Sequence, residues 1–494
     1  MTFSYLTVLI FLPLGGAVVV ALLDRRRADA IRWTGLVASL AALAVASVVF
    51  LRFASGTAAM QFEERAVWVP AAGISYHVGI DGISLPLVLL TAVIMPLALL
   101  SSWTSVTERV KEFTVSMLVL QTALLGTFLS LDLVLFYVFW DAVLVPMYFI
   151  IGLWGGSRRA YAAFKFILYT MAGSALMLVA IIILYLQSGP AGARSFDVLA
   201  LRDVAVPMPL QAWLFGAFAL AFAIKVPVWP LHTWLPDAHT EAPTAGSVVL
   251  AAVLLKMGTY GFFRFLLPLF PEATRQFAPL LVILALIGIL YGGAVSWAQS
   301  DMKRLVAMSS VSHLGFVTLG AFALTVEALQ GSLLQMVNHG ISTGGLFLLV
   351  GMLYDRTHSR LMADYGGVAA LMPRFAVVAT IIMLSSMALP GTNGFVGEFL
   401  ILLGAFRAAP AYAAFAAGGV ILSAVYLLLM YQRVMHGPVI VVARPHVVEI
   451  NARELLIFVP LVLLIFWIGL YPAPMLARSE ASVRALIERV EARR

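Results

Sequence analysis

The stretch Ala223-Ile-Lys225-Val-Pro227-Val-Trp-Pro230 decides the fold class, because it places a charge and helix breakers inside a long apolar segment. On insertion scales, a lysine at the centre of a bilayer costs about 2.5–3.5 kcal/mol, several times what one leucine returns. Prolines this close together interrupt an α-helix. The stretch therefore predicts a broken membrane helix that keeps a buried lysine for a functional reason.

The composition of the whole chain agrees with a membrane environment. Of the 494 residues, 62% are hydrophobic and 11% are charged, and the mean hydropathy is +1.00, which no water-soluble core could accommodate. About fourteen apolar segments are long enough to cross a hydrocarbon layer of roughly 30 Å as helices. We predict an all-α polytopic membrane protein whose surroundings are the lipid bilayer.

Charge and cysteine content exclude several functions. The net charge of +7 comes largely from Lys and Arg in short loops between spans, so we expect no nucleic-acid partner. Without cysteine the chain can form no disulfide, iron-sulfur cluster or thiolate metal site. We expect no cofactor and no metal in this chain, and electron transfer on other chains.

A second break, at Pro390-Gly391 with Gly394 and Gly397, indicates the organisation of the chain. Paired discontinuous helices are typical of transporters built from inverted repeats. Spans 4–8 and spans 9–13 would then be two inverted five-helix repeats, each with one broken helix in fourth position. Within a single membrane domain, 1–494, the predicted parts are N-terminal spans 1–3 (1–112), a first repeat (113–267), a second repeat (276–435), a last span (453–475) and an amphipathic tail (476–494).

The distribution of basic residues predicts the orientation. More than half of the 31 Lys and Arg residues follow odd-numbered spans, and far fewer lie in the opposite loops. Because basic loops stay in the cytoplasm, we predict a multi-pass protein of the bacterial inner (plasma) membrane with both termini outside.

Four ionisable residues lie well inside predicted spans: Asp141, Lys225, Lys256 and Glu398. A buried lysine holds its proton while it is paired with a carboxylate and releases it more easily when the two separate. We predict that Asp141 pairs with Lys225, and that the proton passes to Lys256 and Glu398. The alternative is a static ion pair that only fixes helix packing.

Histidines provide possible bridges along this path, because a neutral imidazole can accept and donate a proton. His232, His313 and His339 are selected by their positions, although histidines packed against carbonyl groups are an equal alternative. His239 is assigned to a loop that enters the eighth span.

Several long motifs resemble the antiporter-like subunits M of respiratory complex I, called subunit 4 in mitochondria. The resemblance covers nearly the whole chain. It is carried by Gly79-Ile-Asp-Gly-Ile-Ser84, Phe139-Trp-Asp-Ala-Val-Leu-Val-Pro-Met-Tyr-Phe149, Leu153-Trp-Gly-Gly156, Pro230-Leu-His-Thr-Trp-Leu-Pro-Asp-Ala-His239, Ala242-Pro-Thr-Ala-Gly-Ser247, Ser309-Ser-Val-Ser-His-Leu-Gly315 and Leu389-Pro-Gly-Thr-Asn-Gly-Phe-Val-Gly-Glu-Phe399.

The resemblance implies a proton-translocating subunit in the membrane arm of an NADH:quinone oxidoreductase. The chain would be one subunit of that translocase and hold no redox centre. Antiporter-like subunits L and N would lie on either side, and NADH, FMN, iron-sulfur clusters and quinone are expected in partner subunits. The alternative is a subunit of an Mrp-type Na⁺/H⁺ antiporter, which shares the lysine-bearing broken helix.

Individual residues also follow from the resemblance. Lys225, Lys256 and Glu398 match the family's proton-path positions, and related subunits usually carry lysine where this chain has Glu398. The family normally has glutamate at the position of Asp141. Because aspartate is shorter by one methylene, the contact with Lys225 is expected to become water-bridged.

Overall fold

The computed structural model describes residues 4–190, 192–440 and 448–492. Its N-terminal part contains four long helices and one β-hairpin between the second and third helix. These elements are α1 (Tyr5–Leu22), α2 (Ala28–Arg52), β1 (Gln61–Val69), β2 (Ile74–Ile80), α3 (Leu85–Ser105) and α4 (Val110–Leu129).

The middle of the chain forms the first group of spans with a broken helix. Two π-helical segments, Leu250–Leu254 and Phe262–Leu266, interrupt its last span. The helices are α5 (Leu133–Ala142), α6 (Leu144–Trp154), α7 (Arg159–Gln187), α8 (Val198–Leu201), α9 (Met208–Lys225), α10 (Trp234–Glu241), α11 (Thr244–Val249), α12 (Leu255–Gly261) and α13 (Leu267–Leu269).

The C-terminal half contains the second group of spans and the tail. Its helices are α14 (Pro271–Trp297), α15 (Met302–Phe322), α16 (Val326–Thr357), α17 (Val368–Leu371), α18 (Pro373–Ser386), α19 (Asn393–Ala408), α20 (Pro410–Met435), α21 (Ala452–Leu470) and α22 (Ala473–Ala492).

Thirteen helical segments in the described part of the chain are long and apolar enough to cross a membrane. The remaining predicted span is the one that contains the second break. It consists of α18 and α19, which are separated at residues 387–392, so neither half reaches full length. The all-α polytopic fold with about fourteen spans is therefore confirmed.

Both predicted breaks are present, and each follows from local backbone chemistry. Helix α9 ends at Lys225, immediately before the segment with Pro227 and Pro230, neither of which can donate a backbone hydrogen bond. At the second break, Gly391 has φ +92°, a conformation open to glycine at little steric cost. The division into repeats at 113–267 and 276–435 stays a prediction.

Contacts between loops support the predicted alternation of the spans. Loops after even-numbered spans meet at one end, where the Leu131 amide donates to the His77 carbonyl at 2.9 Å. Loops after odd-numbered spans meet at the other end, where the Gly156 amide donates to the Glu241 carbonyl at 2.9 Å. Loops after even-numbered spans and loops after odd-numbered spans therefore lie at opposite ends of the helices. Which end faces the cytoplasm stays a prediction.

The antiparallel pair β1 and β2 lies in the long connection 52–79, for which no strand was predicted. A turn at Pro70–Ala72 is closed by Gly73, which has φ +68°.

The α22 helix contains the predicted amphipathic segment, and its apolar side, including Val483 and Leu486, is buried against the same chain. Arg264, in the π-helical segment Phe262–Leu266, forms a buried ion pair with Asp81, which lies just after β2.

Candidate functional site

The first charged site lies where α9 stops, between α5 and α7. Lys225 is the last residue of α9 and is only 1% exposed, whereas Asp141 lies near the end of α5 and is half-buried. The C-terminal end of a helix carries partial negative charge, which favours a cation at this position. The broken helix thus supplies part of the electrostatic support for a buried lysine.

The structure does not bring Asp141 and Lys225 into direct contact. Lys225 Nζ lies 5.3 Å from the ring centroid of Trp140 and 5.5 Å from that of Phe166. Within the described ranges it has no hydrogen-bond acceptor. Asp141 Oδ1 instead accepts a hydrogen bond of 2.5 Å from Ser174 Oγ. The charge of Asp141 still acts on Lys225, so the two groups are electrostatically coupled without touching.

The second charged site begins at Lys256, which has no exposed surface. Its Nζ donates to the Ala251 carbonyl at 2.5 Å and lies 2.6 Å from His339 Nδ1. Ala251 belongs to the π-helical segment Leu250–Leu254, and such interruptions recur at functional sites. Lys256 and His339 can therefore exchange a proton over a single hydrogen bond.

Glu398 lies at the other end of this site and is also buried. Its Oε1 is 2.9 Å from His313 Nδ1 and accepts from Gln335 Nε2 at 3.0 Å. The Tyr426 hydroxyl lies 3.2 Å from His313 Nε2. Gly397 allows this arrangement, because any side chain there would overlap Gln335. One carboxylate oxygen, Oε2, has no partner among the described atoms and is available for a further proton donor.

His339 and His313 connect the two ends of the second site. Their ring centroids are 6.0 Å apart, and His339 Nε2 has no hydrogen-bond partner in the part of the chain that the structure describes. Lys256, His339, His313 and Glu398 therefore form a row with one gap, between the two imidazole rings.

The structure places the other sequence-selected residues away from this row. His232 lies in the turn between α9 and α10, with its ring centroid 5.2 Å from that of Tyr291. It has no side-chain hydrogen bond to Lys225 or Lys256 among the described residues. Lys165, on α7, forms an ion pair of 2.7 Å with Asp237 on α10.

The assignment of His239 to a loop is wrong. His239 lies in helix α10, has no exposed surface, and stacks on Phe347 with 4.5 Å between ring centroids. Neither ring nitrogen has a partner among the described residues, and the side chain interacts electrostatically with Lys256 and Lys303. Sequence reasoning missed it because Pro236 lies inside a short helix with acidic neighbours.

Three further polar residues were also missed. Gln335 gave a usable signal, because it precedes Asn338 and His339 by three and four residues and so shares their helix face. Ser174 and Tyr426 gave no such signal, since isolated hydroxyl groups are common in apolar helices.

As for metals, no group of three or more potential ligands occurs within the described ranges.

A polar cavity of about 360 Å³ opens at the face formed by the loops after odd-numbered spans. Charged residues from five of these connections line it, among them Glu108, Arg159, Glu241, Lys303 and Arg360. Lys303 Nζ donates to the Ala242 carbonyl, next to the end of α10. The cavity can hold water molecules, and it reaches the end of helix α10, which carries His239.

Comparison with known proteins agrees with this architecture. The family described as NADH:quinone oxidoreductase/Mrp antiporter, TM, matches residues 130–425, and that described as NADH-ubiquinone oxidoreductase chain 4, amino terminus, matches 33–127. The fold is similar to that of a chain in respiratory complex I from Thermus thermophilus with bound NADH, with a TM-score of 0.87 and 34% identity over 98% of this chain and 99% of that one. A chain of the Mrp complex from Dietzia sp. shares the fold at 22% identity and a TM-score of 0.83, covering 97% of this chain and 52% of that chain.

The fold and the buried charges thus define an antiporter-like membrane subunit. NADH-quinone oxidoreductase subunit M of Rhodobacter capsulatus is 44% identical over 99% of this chain and 97% of that protein. NADH-ubiquinone oxidoreductase chain 4 of Arabidopsis thaliana is 42% identical over 97% and 96% of the two chains. The chain belongs to the family of NADH-quinone oxidoreductase subunit M, named chain 4 in the plant enzymes.

Proposed function

We propose that this chain translocates protons as a membrane-arm subunit of an NADH:quinone oxidoreductase, driven by quinone reduction in other subunits. The row Lys256, His339, His313 and Glu398 supports this function most directly. Proton transfer requires ionisable groups in hydrogen-bond contact, which Lys256 makes with His339 and His313 makes with Glu398, and such groups are expensive to bury without a function.

The proposed path begins at Lys225 and ends at Glu398. Lys225 stores a proton under the influence of Asp141 and releases it towards Lys256 through water in the interior. His339 takes the proton from Lys256, His313 receives it across the 6.0 Å gap, and Glu398 accepts it at 2.9 Å. A reorientation of one imidazole ring, or one water molecule, closes that gap.

The relatives support an enzyme context for this chain. NADH, FMN, iron-sulfur clusters and quinone are held by partner subunits, and antiporter-like subunits L and N flank this chain. The basic loops face the cytoplasm of a bacterial plasma membrane, and both termini lie outside. His232 takes part only if water connects it to Lys225, because no direct contact links them among the described residues.

Replacement of Lys225 in the assembled complex tests the function. Lys225→Ala, and Lys225→Met as a variant that preserves volume, should lower NADH-driven proton pumping in proteoliposomes by about tenfold or more, because the proton store is gone. Lys111→Ala is the matched control, since Lys111 bonds the Leu23 carbonyl far from both charged sites. Wild-type pumping by a fully assembled Lys225→Met complex would contradict the proposal.

The Mrp-type alternative has its own signature. A sodium/proton antiporter would show sodium-dependent proton flux without an electron donor. Such flux in vesicles that contain this chain, with no NADH present, would favour that alternative.

A further inference from the structure

The carboxylate of Asp141 already has a partner other than Lys225. Asp141 Oδ1 accepts a short hydrogen bond of 2.5 Å from Ser174 Oγ, which also lies 3.2 Å from the Tyr137 hydroxyl. Ser174 is only 1% exposed, so its proton must be shared with a protein group rather than with bulk water. A hydrogen bond to an ionised acceptor is stronger than one between neutral groups.

The position of Ser174 depends on close packing of α7 against α9. A Cβ atom on Gly173 would lie 2.9 Å from Ala221 Cα and 3.0 Å from Ile224 Cδ1. Glycine therefore permits the two helices to approach beside Lys225, and the next residue of α7 directs its hydroxyl to Asp141. Tyr137 and Asp141 are four residues apart on α5 and share one face.

Lys225 also has alternative partners, and they come from the same two helices. Trp140 precedes Asp141 on α5, and Phe166 lies on α7, two turns before Ser174. Their ring centroids are 5.3 and 5.5 Å from Lys225 Nζ, within the range of cation–π attraction. Helices α5 and α7 thus hold the carboxylate and the ammonium apart, each with its own partner.

We propose that Ser174 is a positioning residue that keeps Asp141 separated from Lys225, while Trp140 and Phe166 hold the ammonium. This inference rests on the proton path proposed above. Ser174 competes with Lys225 for one carboxylate, and the competition sets how often the lysine is paired.

Ser174→Ala in the assembled complex tests the competition. Without the hydroxyl, Asp141 turns to Lys225, which then retains its proton to higher pH. The alkaline limb of the pH profile of coupled proton pumping should move upward by about one pH unit. Ser174→Thr keeps the hydroxyl and should restore the wild-type profile. Thr170→Val is the matched control, because the Thr170 hydroxyl is buried on α7 but bonds the Phe166 carbonyl.

The outcomes separate this inference from the proposed function. If Ser174→Ala has the profile of Thr170→Val while Lys225→Met abolishes pumping, Ser174 has no positioning role and the proton path stands. If Lys225→Met pumps normally, the proton path itself fails. Should the alanine variant fail to assemble, Ser174→Cys supplies a weaker donor of similar size. An unshifted pH profile for Ser174→Cys would likewise overturn the inference.

Discussion

The two broken helices carry ions of opposite sign, and their surroundings differ accordingly. In the first half, Lys225 ends the half-helix α9 and has aromatic rings around its ammonium group. In the second half, Glu398 lies on α19, close to its N-terminal end, and is hydrogen-bonded to His313 and Gln335. The helix dipole favours a cation at the C-terminal end of α9, where Lys225 lies. Glu398 lies beyond the first turn of α19, so its stabilisation comes from its hydrogen bonds instead.

The comparison indicates different roles for the two halves. Lys225 is electrostatically coupled to Asp141 without touching it, so small movements of one side chain change how firmly it holds a proton. Glu398 is fixed by several neighbours and joined to Lys256 by two histidines. We therefore expect the first site to control the timing of proton release, and the second site to conduct.

The largest expected effect comes from a substitution in the second charged site, which contains Lys256, His339, His313 and Glu398. Glu398→Gln keeps the volume and the hydrogen-bonding capacity but cannot ionise, so a proton that reaches His313 has no acceptor. We expect proton pumping to fall about tenfold or more, measured in proteoliposomes with assembly checked by native electrophoresis. Glu327→Gln is the control, because Glu327 pairs with Arg407 at a partly exposed position. Equal pumping by both variants would contradict a conducting role.

A smaller effect is expected from a substitution that lets the carboxylate at position 141 pair directly with Lys225. Asp141→Glu adds one methylene, so the carboxylate reaches Lys225 even while other contacts compete. Pumping should change about two- to threefold, with the alkaline limb of its pH profile moved upward. The measurement is the pH profile in membranes, alone and combined with Ser174→Ala. The two changes act on one contact, so their effects should not add. Strict additivity would show that they act separately.

The buried charges were predictable because an ion in an apolar span has few harmless explanations. Lys225, Lys256 and Glu398 were found in this way, and Pro227 and Gly391 marked the breaks. The shorter side chain of Asp141 predicted the loss of direct contact with Lys225, but the hydrogen bond from Ser174 to Asp141 was not predictable, because the Ser174 hydroxyl resembles any other in the spans. The π-helical segment beside Lys256 likewise has no sequence signal, since each of its residues also suits an α-helix.

The hairpin was missed for a different reason. Charged and apolar residues are mixed between Gln61 and Val69 without strict alternation, and register shifts interrupt the pairing of β1 with β2. Its buried His77 bonds Asp197 on a distant connection, which only the folded chain brings close.

The smallest effect on pumping is expected at this hairpin, which holds a charged cluster separate from both charged sites. His77 Nδ1 lies 3.0 Å from Asp197 Oδ2, and Nε2 lies 3.2 Å from Glu63 Oε2. Burial alone would lower the pKa of His77, but the bonds and charge of Asp197, helped by Glu63, outweigh burial and raise it above 6.5. Burial would raise the pKa of Asp197, yet the bond and charge of His77 lower it.

The sign of the pH dependence follows from these two shifts. The stabilisation from His77 is complete below its ordinary pKa and is lost as the pH rises through the raised value, whereas that from Asp197 is lost only on strong acidification. His77→Ala should therefore loosen the hairpin at both pH values, because a buried side chain is lost, and by about 1 kcal/mol more at pH 6 than at pH 8.5. Amide hydrogen exchange of residues 61–80, corrected for intrinsic rates, measures this difference. Pumping should remain at the wild-type rate, because this cluster contains neither Lys225 nor Lys256 and so stabilises the fold without carrying protons. Loss of pumping in His77→Ala with an intact hairpin would remove that distinction.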